Sequence, residues 1–173
     1  MAALATYTGG VQSVQFGATK YMAGIFNAHA TLLLKCWRVW TINSGVAAIT
    51  GLLCTMQLKR STARTAGTAG AWVKHDSNNG AVDANITVNY NDTGVTATDI
   101  LRSWIWSSDE PSASTGTSDE WECLPALCCI WDAGYGDTNV QPLTFRQNQG
   151  LEVYNTSATA AGYLDTYFEC TIE

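Results

Sequence analysis

The 173 residues are enough for one well-packed domain and too few for two full-sized ones. Only 14% of them are charged, 46% are hydrophobic and the net charge is −6, so the chain lacks the basic stripe that nucleic-acid binding requires. A monomer with so few charges would be poorly soluble, and we therefore expect part of its surface to be covered by neighbouring subunits.

Residues 1–20 begin with MAALATYTGG, which has neither the positive region nor the long apolar region of a secretory signal. We expect these residues to form an N-terminal arm or a first strand before a β-domain that spans residues 21–173. The chain contains no run of about 18 apolar residues, the length that a membrane span needs. These features predict a protein that is made in the cytosol and has no membrane partner.

The rest of the chain is divided into apolar segments that are rich in β-branched and aromatic residues and bounded by Gly, Asn, Asp or Ser. Their regular spacing, without a long helical period between them, predicts an all-β antiparallel domain of about eight or nine strands. In chain order the segments are YMAGIFNA, TLLLKCWRVWTI, AITGLLCTMQLKR, ANITVNY, ILRSWIWS, ECLPALCCIW, PLTFRQ, GLEVYN and YLDTYFECTI.

Alternation of apolar and polar side chains is clearest in the last segment, residues 163–172. We expect one face of this strand to lie in a core and the other to meet water or a partner. ANITVNY shows the same pattern, with Ile86 and Val88 on its core face. The core face of the last segment carries Leu164, Thr166, Phe168, Cys170 and Ile172.

Two segments, KCWRVWTI and ILRSWIWS, carry large side chains on both faces. Two explanations are open. Each segment is a central strand covered by a loop or second sheet, or it forms a surface closed by another subunit, since Trp and Arg are favoured at interfaces. The second explanation defines a candidate interface. Its residues are Arg102, Trp104, Trp106 and, further along the chain, Arg146.

Two segments rich in Ser, Thr, Gly and Ala lie between the apolar segments, at residues 59–72 and 107–122. Their composition predicts surface loops, or arms that become ordered on contact with a neighbour.

The stretch QPLTFRQNQGLEVYN, residues 141–155, predicts a hairpin of two short strands joined by a tight polar turn. Pro142 has no N–H and so favours the start or the edge of a strand. Gly150 supplies a residue that tolerates a positive φ. Arg146 falls on the polar side, where we expect a carboxylate partner nearby or across an interface.

The six cysteines are expected to be reduced core thiols, because a cytosolic protein rarely keeps disulfides and Cys is often buried. A disulfide and a zinc site remain alternatives, although the spacing of Cys123, Cys128 and Cys129 is not that of a CxxC pair. The other three are Cys36, Cys54 and Cys170.

No grouping of catalytic residues or nucleotide-binding loop is evident, so we expect neither enzymatic activity nor a cofactor. His29 is interpreted as an interior or strand-end residue, and His75 as part of a turn. A structural cation is a less favoured alternative, because no DxDxDG loop is present. The acids that would hold it are Asp109, Glu110, Asp119, Glu120 and Glu122, or Asp132 and Asp137.

The C-terminal part of the chain resembles a diffuse group of tailed-phage structural proteins, with a strand pair that reads Q-P-L-T-F-R and then G-L in this chain, a short Gly/Ala/Thr loop and a last strand ending in E-C-T. The segment AWVKHDSNNGAVDANITVNY is also similar to these proteins, whereas the many Cys and Trp residues and Gln149 depart from their pattern. The resemblance implies a jelly-roll-like β-sandwich in a virion. The matching positions are Gln141, Pro142, Leu143, Arg146, Gly150, Leu151, Gly162 and Glu169 to Thr171.

We therefore expect a structural subunit of a bacteriophage virion, a capsid decoration or minor capsid protein assembled in the host cytoplasm. Its partners would be copies of itself, in a trimer or larger cyclic oligomer, and the major capsid or other virion proteins. The alternative is a carbohydrate- or receptor-binding module of a head or tail fibre. Its stacking platform would be one of Trp104, Trp106, Trp121 and Trp131. A β-sandwich hydrolase would need two acids close together in a pocket.

Overall fold

The computed structural model describes residues 4–43, 53–65, 67–107, 128–134, 139–157 and 162–173. Within these ranges the chain forms strands and no helix, which confirms the all-β prediction. The strands are β1 (Thr6–Gln15), β2 (Lys20–Asn27), β3 (Leu34–Asn43), β4 (Leu53–Thr65), β5 (Thr68–Ala69), β6 (Ala71–Lys74), β7 (Ile86–Tyr90), β8 (Thr93–Ser107), β9 (Cys128–Asp132), β10 (Leu143–Phe145), β11 (Gln149–Asn155) and β12 (Tyr163–Ile172).

The strands form two antiparallel sheets whose topology is that of a jelly roll. Sheet A has the order β10-β3-β12-β1-β6, with β9 also paired to β3, and sheet B has the order β5-β7-β2-β11-β4-β8. The strand pairs are nested in chain order. β1 pairs with β12, β2 with β11, β3 with β9 and β10, and β4 with β8. This nesting of strand pairs is the arrangement of two Greek keys in a jelly roll. The predicted β-sandwich of jelly-roll type is therefore confirmed.

The core lies between the two sheets and follows the predicted alternation. On β12, Leu164, Phe168 and Cys170 are buried, and Ile172 packs against the same cluster. They face apolar side chains of sheet B such as Ile25 on β2. Fully buried large side chains such as Leu164, Phe168 and Ile25 each stabilise the sandwich by about 1.5–3 kcal/mol through removal of apolar surface from water.

Residues 59–72, predicted to be a loop, are mostly strand. β4 continues to Thr65, and β5 and β6 follow, adding one strand to the edge of sheet B and one to sheet A. The small residues of this segment suit a closely packed strand, since a Cβ at Gly70 would lie 2.5 Å from the carbonyl oxygen of Gly10 on β1. The other predicted loop, residues 107–122, lies outside the described residues apart from Ser107, which ends β8.

The predicted hairpin at residues 141–155 is wrong. β10 pairs with β3 in sheet A and β11 pairs with β2 and β4 in sheet B, so the turn between them crosses from one sheet to the other. The residue with positive φ in this turn is Asn148 (58°) rather than Gly150. Gly150 is needed for a different reason, because a Cβ there would lie 2.5 Å from the carbonyl oxygen of Ile25.

The far end of the β4–β8 pair lies across the outer face of sheet B. Four register shifts interrupt the pairing of these strands between Leu58 and Thr65. Within the last of these irregular intervals, between Ala63 and Thr65, the guanidinium of Arg64 donates hydrogen bonds to the carbonyl oxygen of Gly24 on β2 and to the hydroxyl of Thr87 on β7. Since β2 and β7 are separated from β4 by at least one strand, the end of β4 must bend over the sheet. Bulges of this kind bend and twist the strands that contain them.

Candidate functional site

The most exposed apolar side chains of sheet B lie on its outermost strand, β8. This strand is 15 residues long, and among the described strands it pairs only with β4. Ile100 is 54% exposed and Ile105 is 70% exposed. A long edge strand presents unpaired backbone N–H and C=O groups, and natural proteins usually protect such an edge with charges, bulges or a covering partner.

A register shift in the β4–β8 pair decides which side chains of β8 are exposed. Arg102 is opposite Leu58, whereas Ile100 is opposite Lys59, so Leu101 has no opposite residue. This bulge turns Ile100 away from the face that carries Arg102. Ile100, Ser103 and Ile105 are all exposed, and we call these three residues the β8 strip.

The two tryptophans of the predicted interface belong to the protein's own core. Trp104 and Trp106 are opposite Met56 and Cys54, both of which are buried between the sheets. Trp106 is only 6% exposed and is part of the core, and the half-buried Trp104 packs against it. The apolar surface that β8 offers to a partner is therefore the pair of isoleucines. The sequence pattern alone does not place Ile100 on the face of Ile105, because the bulge at Leu101 has no local signal.

Arg102, the third predicted interface residue on β8, links the two sheets. Its Nη1 donates a 2.7 Å hydrogen bond to the carbonyl oxygen of Ile130 on β9, and its guanidinium lies 5.8 Å from the ring centre of Trp131. A cation over an aromatic face contributes about 0.5–2 kcal/mol. Arg102 thus holds β8 of sheet B against β9 of sheet A, and its side chain remains exposed.

Arg146, the fourth predicted interface residue, is not brought together with the others. It is exposed in the turn between β10 and β11, where its N–H donates to the side-chain oxygen of Gln149 (2.9 Å). Its carbonyl oxygen accepts a hydrogen bond from the N–H of Gln149 (3.1 Å). Within the described ranges, no carboxylate lies at ion-pair distance from its guanidinium.

The three described tryptophans among those proposed as a sugar-stacking platform do not form an exposed one. Trp104 and Trp106 pack into the core as described, Trp131 lies half-buried beneath Arg102, and Trp121 lies outside the described residues. Aromatic rings do line a separate groove of ≈ 430 Å³ between β1 and the β5–β6 connection. Its lining includes Gly10, Gln12, Gly70, Tyr90 and Tyr167, and Gln12 donates a 3.0 Å hydrogen bond to the Tyr167 hydroxyl.

A buried polar cluster lies beneath the bent end of β4, and the sequence did not indicate it. The Arg64 and Asp92 side chains are buried and form an ion pair with 3.2 Å between Nη1 and Oδ2. Glu152 of β11 is also fully buried, and its Oε1 accepts a 3.1 Å hydrogen bond from the hydroxyl of Ser61. Its Oε2 and the Oδ1 of Asp92 have no hydrogen-bond partner among the described residues.

Burial raises the pKa of Glu152 well above its ordinary value; the nearby Arg64 opposes the rise and the nearby Asp92 adds to it. Burial also raises the pKa of Asp92, against the effects of Arg64 and of hydrogen bonding by Asn89. Glu152 therefore holds a proton more tightly in the folded protein than an exposed glutamate does. The alternation in GLEVYN would have placed this side chain on a solvated face, and only the strand folded over it explains its burial.

Both histidines have hydrogen-bonding partners within the fold. Asp132, the one described acid of the candidate cation sites, has an ion-pair partner. The Nδ1 of His29 accepts a hydrogen bond from the backbone N–H of Leu32 (3.0 Å), and His75 Nε2 lies 2.8 Å from the hydroxyl of Thr8. Asp132 forms an ion pair with Arg38 (3.2 Å). The described residues contain no group of three or more His, Cys, Asp or Glu that would hold a metal ion. Asp137 and the acids at 109–122 lie outside those residues.

Comparisons with known proteins do not add a family to these observations. No protein-family model, no curated protein and no solved structure matches this chain. Within the described residues, no helix is long and apolar enough to cross a membrane.

Proposed function

We propose that this chain is a non-enzymatic structural subunit of a bacteriophage virion, either a capsid decoration protein or a minor capsid protein. It acts by binding copies of itself and other proteins of the particle. The observation that carries the proposal is the β8 strip, in which two isoleucines are more than half exposed on a 15-residue edge strand. Exposed apolar surface on a sheet edge is suited to association with another chain.

Two further features support the proposal. The jelly roll is the architecture of many viral capsid domains, which is an analogy at the level of the fold. The C-terminal pattern that resembles tailed-phage structural proteins falls on β10, β11 and β12, which belong to both sheets of the sandwich.

Burial of the β8 strip against another chain would contribute to the free energy of association. Burying a fully exposed isoleucine contributes about 1.5–3 kcal/mol. Ile105 is 70% exposed, so most of this free energy is still to be gained when another chain covers the side chain. Replacing Ile105 by Lys would remove that gain and place a charge in the contact. We expect the dissociation constant for self-association to rise by about ten- to a hundred-fold.

The test is sedimentation of the purified chain over a concentration series, with wild type, Ile105→Lys and a matched control. Val140→Lys is the control, because Val140 is also an exposed apolar residue (41%) but lies outside the β8 strip. The proposal expects wild type and Val140→Lys to self-associate alike and Ile105→Lys to dissociate, with unchanged urea midpoints. A wild-type chain that is monomeric at about 1 mM, or an Ile105→Lys variant that associates like wild type, would contradict it.

The place of the subunit in a particle is tested by counting. Quantitative mass spectrometry of purified particles is expected to find the chain in many copies, as a lattice of shell proteins requires. A handful of copies per particle would favour the tail, and its absence from the particle would refute the virion role.

A second candidate function, carbohydrate binding, is favoured by the groove between Tyr90 and Tyr167. Its small glycine and alanine lining leaves room for a ring to approach the tyrosines, and Gln12 supplies a polar group beside them. Tyrosine suits sugar recognition because it combines an apolar ring with a hydroxyl that can hydrogen-bond. Titration with a glycan panel, comparing wild type and Tyr167→Ala, distinguishes this function: binding that the substitution abolishes supports it.

A further inference from the structure

Cys36 and Cys170 face each other in the core of the sandwich. Cys36 on β3 and Cys170 on β12 are direct cross-strand partners in sheet A, and both side chains are fully buried. Directly opposite residues of an antiparallel pair have Cα atoms about 4.5 or 5.5 Å apart, depending on their hydrogen bonding. Both separations fall within the range of about 4.4–6.8 Å that a disulfide spans.

The other described cysteines have different cross-strand neighbours. Cys54 is opposite Trp106 in sheet B, and Cys128 and Cys129 are opposite Thr41 and Trp40 in sheet A. Cys128 and Cys129 follow one another on β9, so their side chains are directed to opposite faces of the strand. All five described cysteines are free thiols.

We propose that Cys36 and Cys170 form a dithiol–disulfide site that a small-molecule disulfide such as oxidised glutathione can oxidise. One of the two thiolates attacks the glutathione disulfide, which forms a mixed disulfide and releases one glutathione thiolate. The second cysteine thiolate then displaces the other glutathione and closes the Cys36–Cys170 bond. In total the two cysteines lose two protons and two electrons, and the electrons reduce the glutathione disulfide to two thiols.

The site is protected from oxidation while the sandwich is closed. Neither side chain is exposed, and burial raises the pKa of the Cys170 thiol, with the neighbouring Cys36 raising it further. Because the thiolate is the reactive species, oxidation is slow in the closed fold. It proceeds when β12 separates from β3 or while the two strands first pair, and the register shift beside Cys170 is the point where the ladder of hydrogen bonds is already interrupted.

The bond would link the last strand of the jelly roll to its third strand and so close most of the chain into one loop. Cross-links that close long loops restrict the unfolded chain most strongly. We expect the oxidised protein to have a higher urea midpoint than the reduced protein. This site does not depend on the proposed structural role, because it is formed by two strands of one chain.

The test is to refold the full-length protein in a glutathione redox buffer and to count thiols after denaturation. The chain contains six cysteines, and the free-thiol count is expected to fall by two. A non-reducing peptide map should contain one cross-linked pair of peptides, carrying Cys36 and Cys170. Cys54→Ala is the matched control, since it removes another buried thiol from the opposite sheet and should leave the cross-link in place.

Cys36→Ala and Cys170→Ala should each abolish the cross-link and the difference in urea midpoint between oxidising and reducing conditions. If either variant fails to fold, the wild-type peptide map decides the question by itself. A wild-type protein that keeps all its thiols after refolding with oxidised glutathione, or whose cross-link joins any other pair, would overturn the proposal.

Discussion

Replacing Glu152 by Gln should make the protein more stable at neutral pH and reduce the dependence of its stability on pH. Glu152 is fully buried beneath the bent end of β4, beside the ion pair of Arg64 and Asp92. Gln has the same shape and no charge. Its side-chain oxygen would accept the hydrogen bond from Ser61, and its NH₂ would occupy the position of Oε2, which has no partner among the described residues.

The magnitude follows from proton linkage. Burial raises the pKa of Glu152 in the folded protein well above its ordinary value near 4.5. Above pH 4.5 the unfolded chain therefore releases a proton that the folded chain still retains. Stability from this group is fully present below pH 4.5 and is lost as the pH rises toward the folded pKa. The loss approaches about 1.4 kcal/mol per pH unit for one proton. The glutamine of the variant does not titrate, so this contribution disappears.

The assay is urea unfolding of wild type and Glu152→Gln at a series of pH values from about 4 to about 8, with the free energy of unfolding taken at each. The variant should become more stable than wild type as the pH increases, while a smaller slope from Asp92, whose pKa is also raised, remains in both proteins. Asp99→Asn, which neutralises an exposed carboxyl on β8, is the control and should behave like wild type. Parallel pH profiles for wild type and Glu152→Gln would refute the reasoning.

Two further substitutions test the packing of the sandwich. Gly150→Ala should lower the free energy of unfolding by about 1–3 kcal/mol, because its Cβ would lie 2.5 Å from the carbonyl oxygen of Ile25. Gly80→Ala, which places its Cβ in open space, should change it by less than about 0.5 kcal/mol, and equal effects of the two would contradict the packing described for β11. Phe168→Ala should cost about 3–5 kcal/mol, measured by urea unfolding, because Phe168 is fully buried between the sheets. A cost below about 1 kcal/mol would mean that Phe168 does not pack in the core.

The local pattern of residues was sufficient to find most of the strands and the inward face of β12. Alternation with a period of two is a property of one strand alone, and it correctly placed Leu164 and Phe168 in the core. The same pattern failed on β8, since the bulge at Leu101 shifts the alternation by one residue. As a result, Ile100 lies on the same exposed face as Ile105, whereas unbroken alternation would place it with Trp104 and Trp106.

Glu152 shows a different limit of the sequence pattern. On a strand it alternates with Leu151 and Val153, and that pattern by itself predicts a solvated position on the outer face. Its burial depends on a strand end that is distant in the sequence and bends over sheet B. A fold-over of this kind is produced by successive bulges, none of which has a signature in the residues themselves.

The sequence by itself determined the β-class, the single antiparallel domain and the inward face of the most regular strands, because these depend on the spacing of apolar side chains along one strand. The tertiary structure alone decided which strands are partners. The stretch at residues 141–155 has the composition of a hairpin, yet β10 and β11 lie in different sheets. A strand offers the same row of backbone donors and acceptors to any neighbour, so its partner is selected by how all the apolar faces pack together into one core.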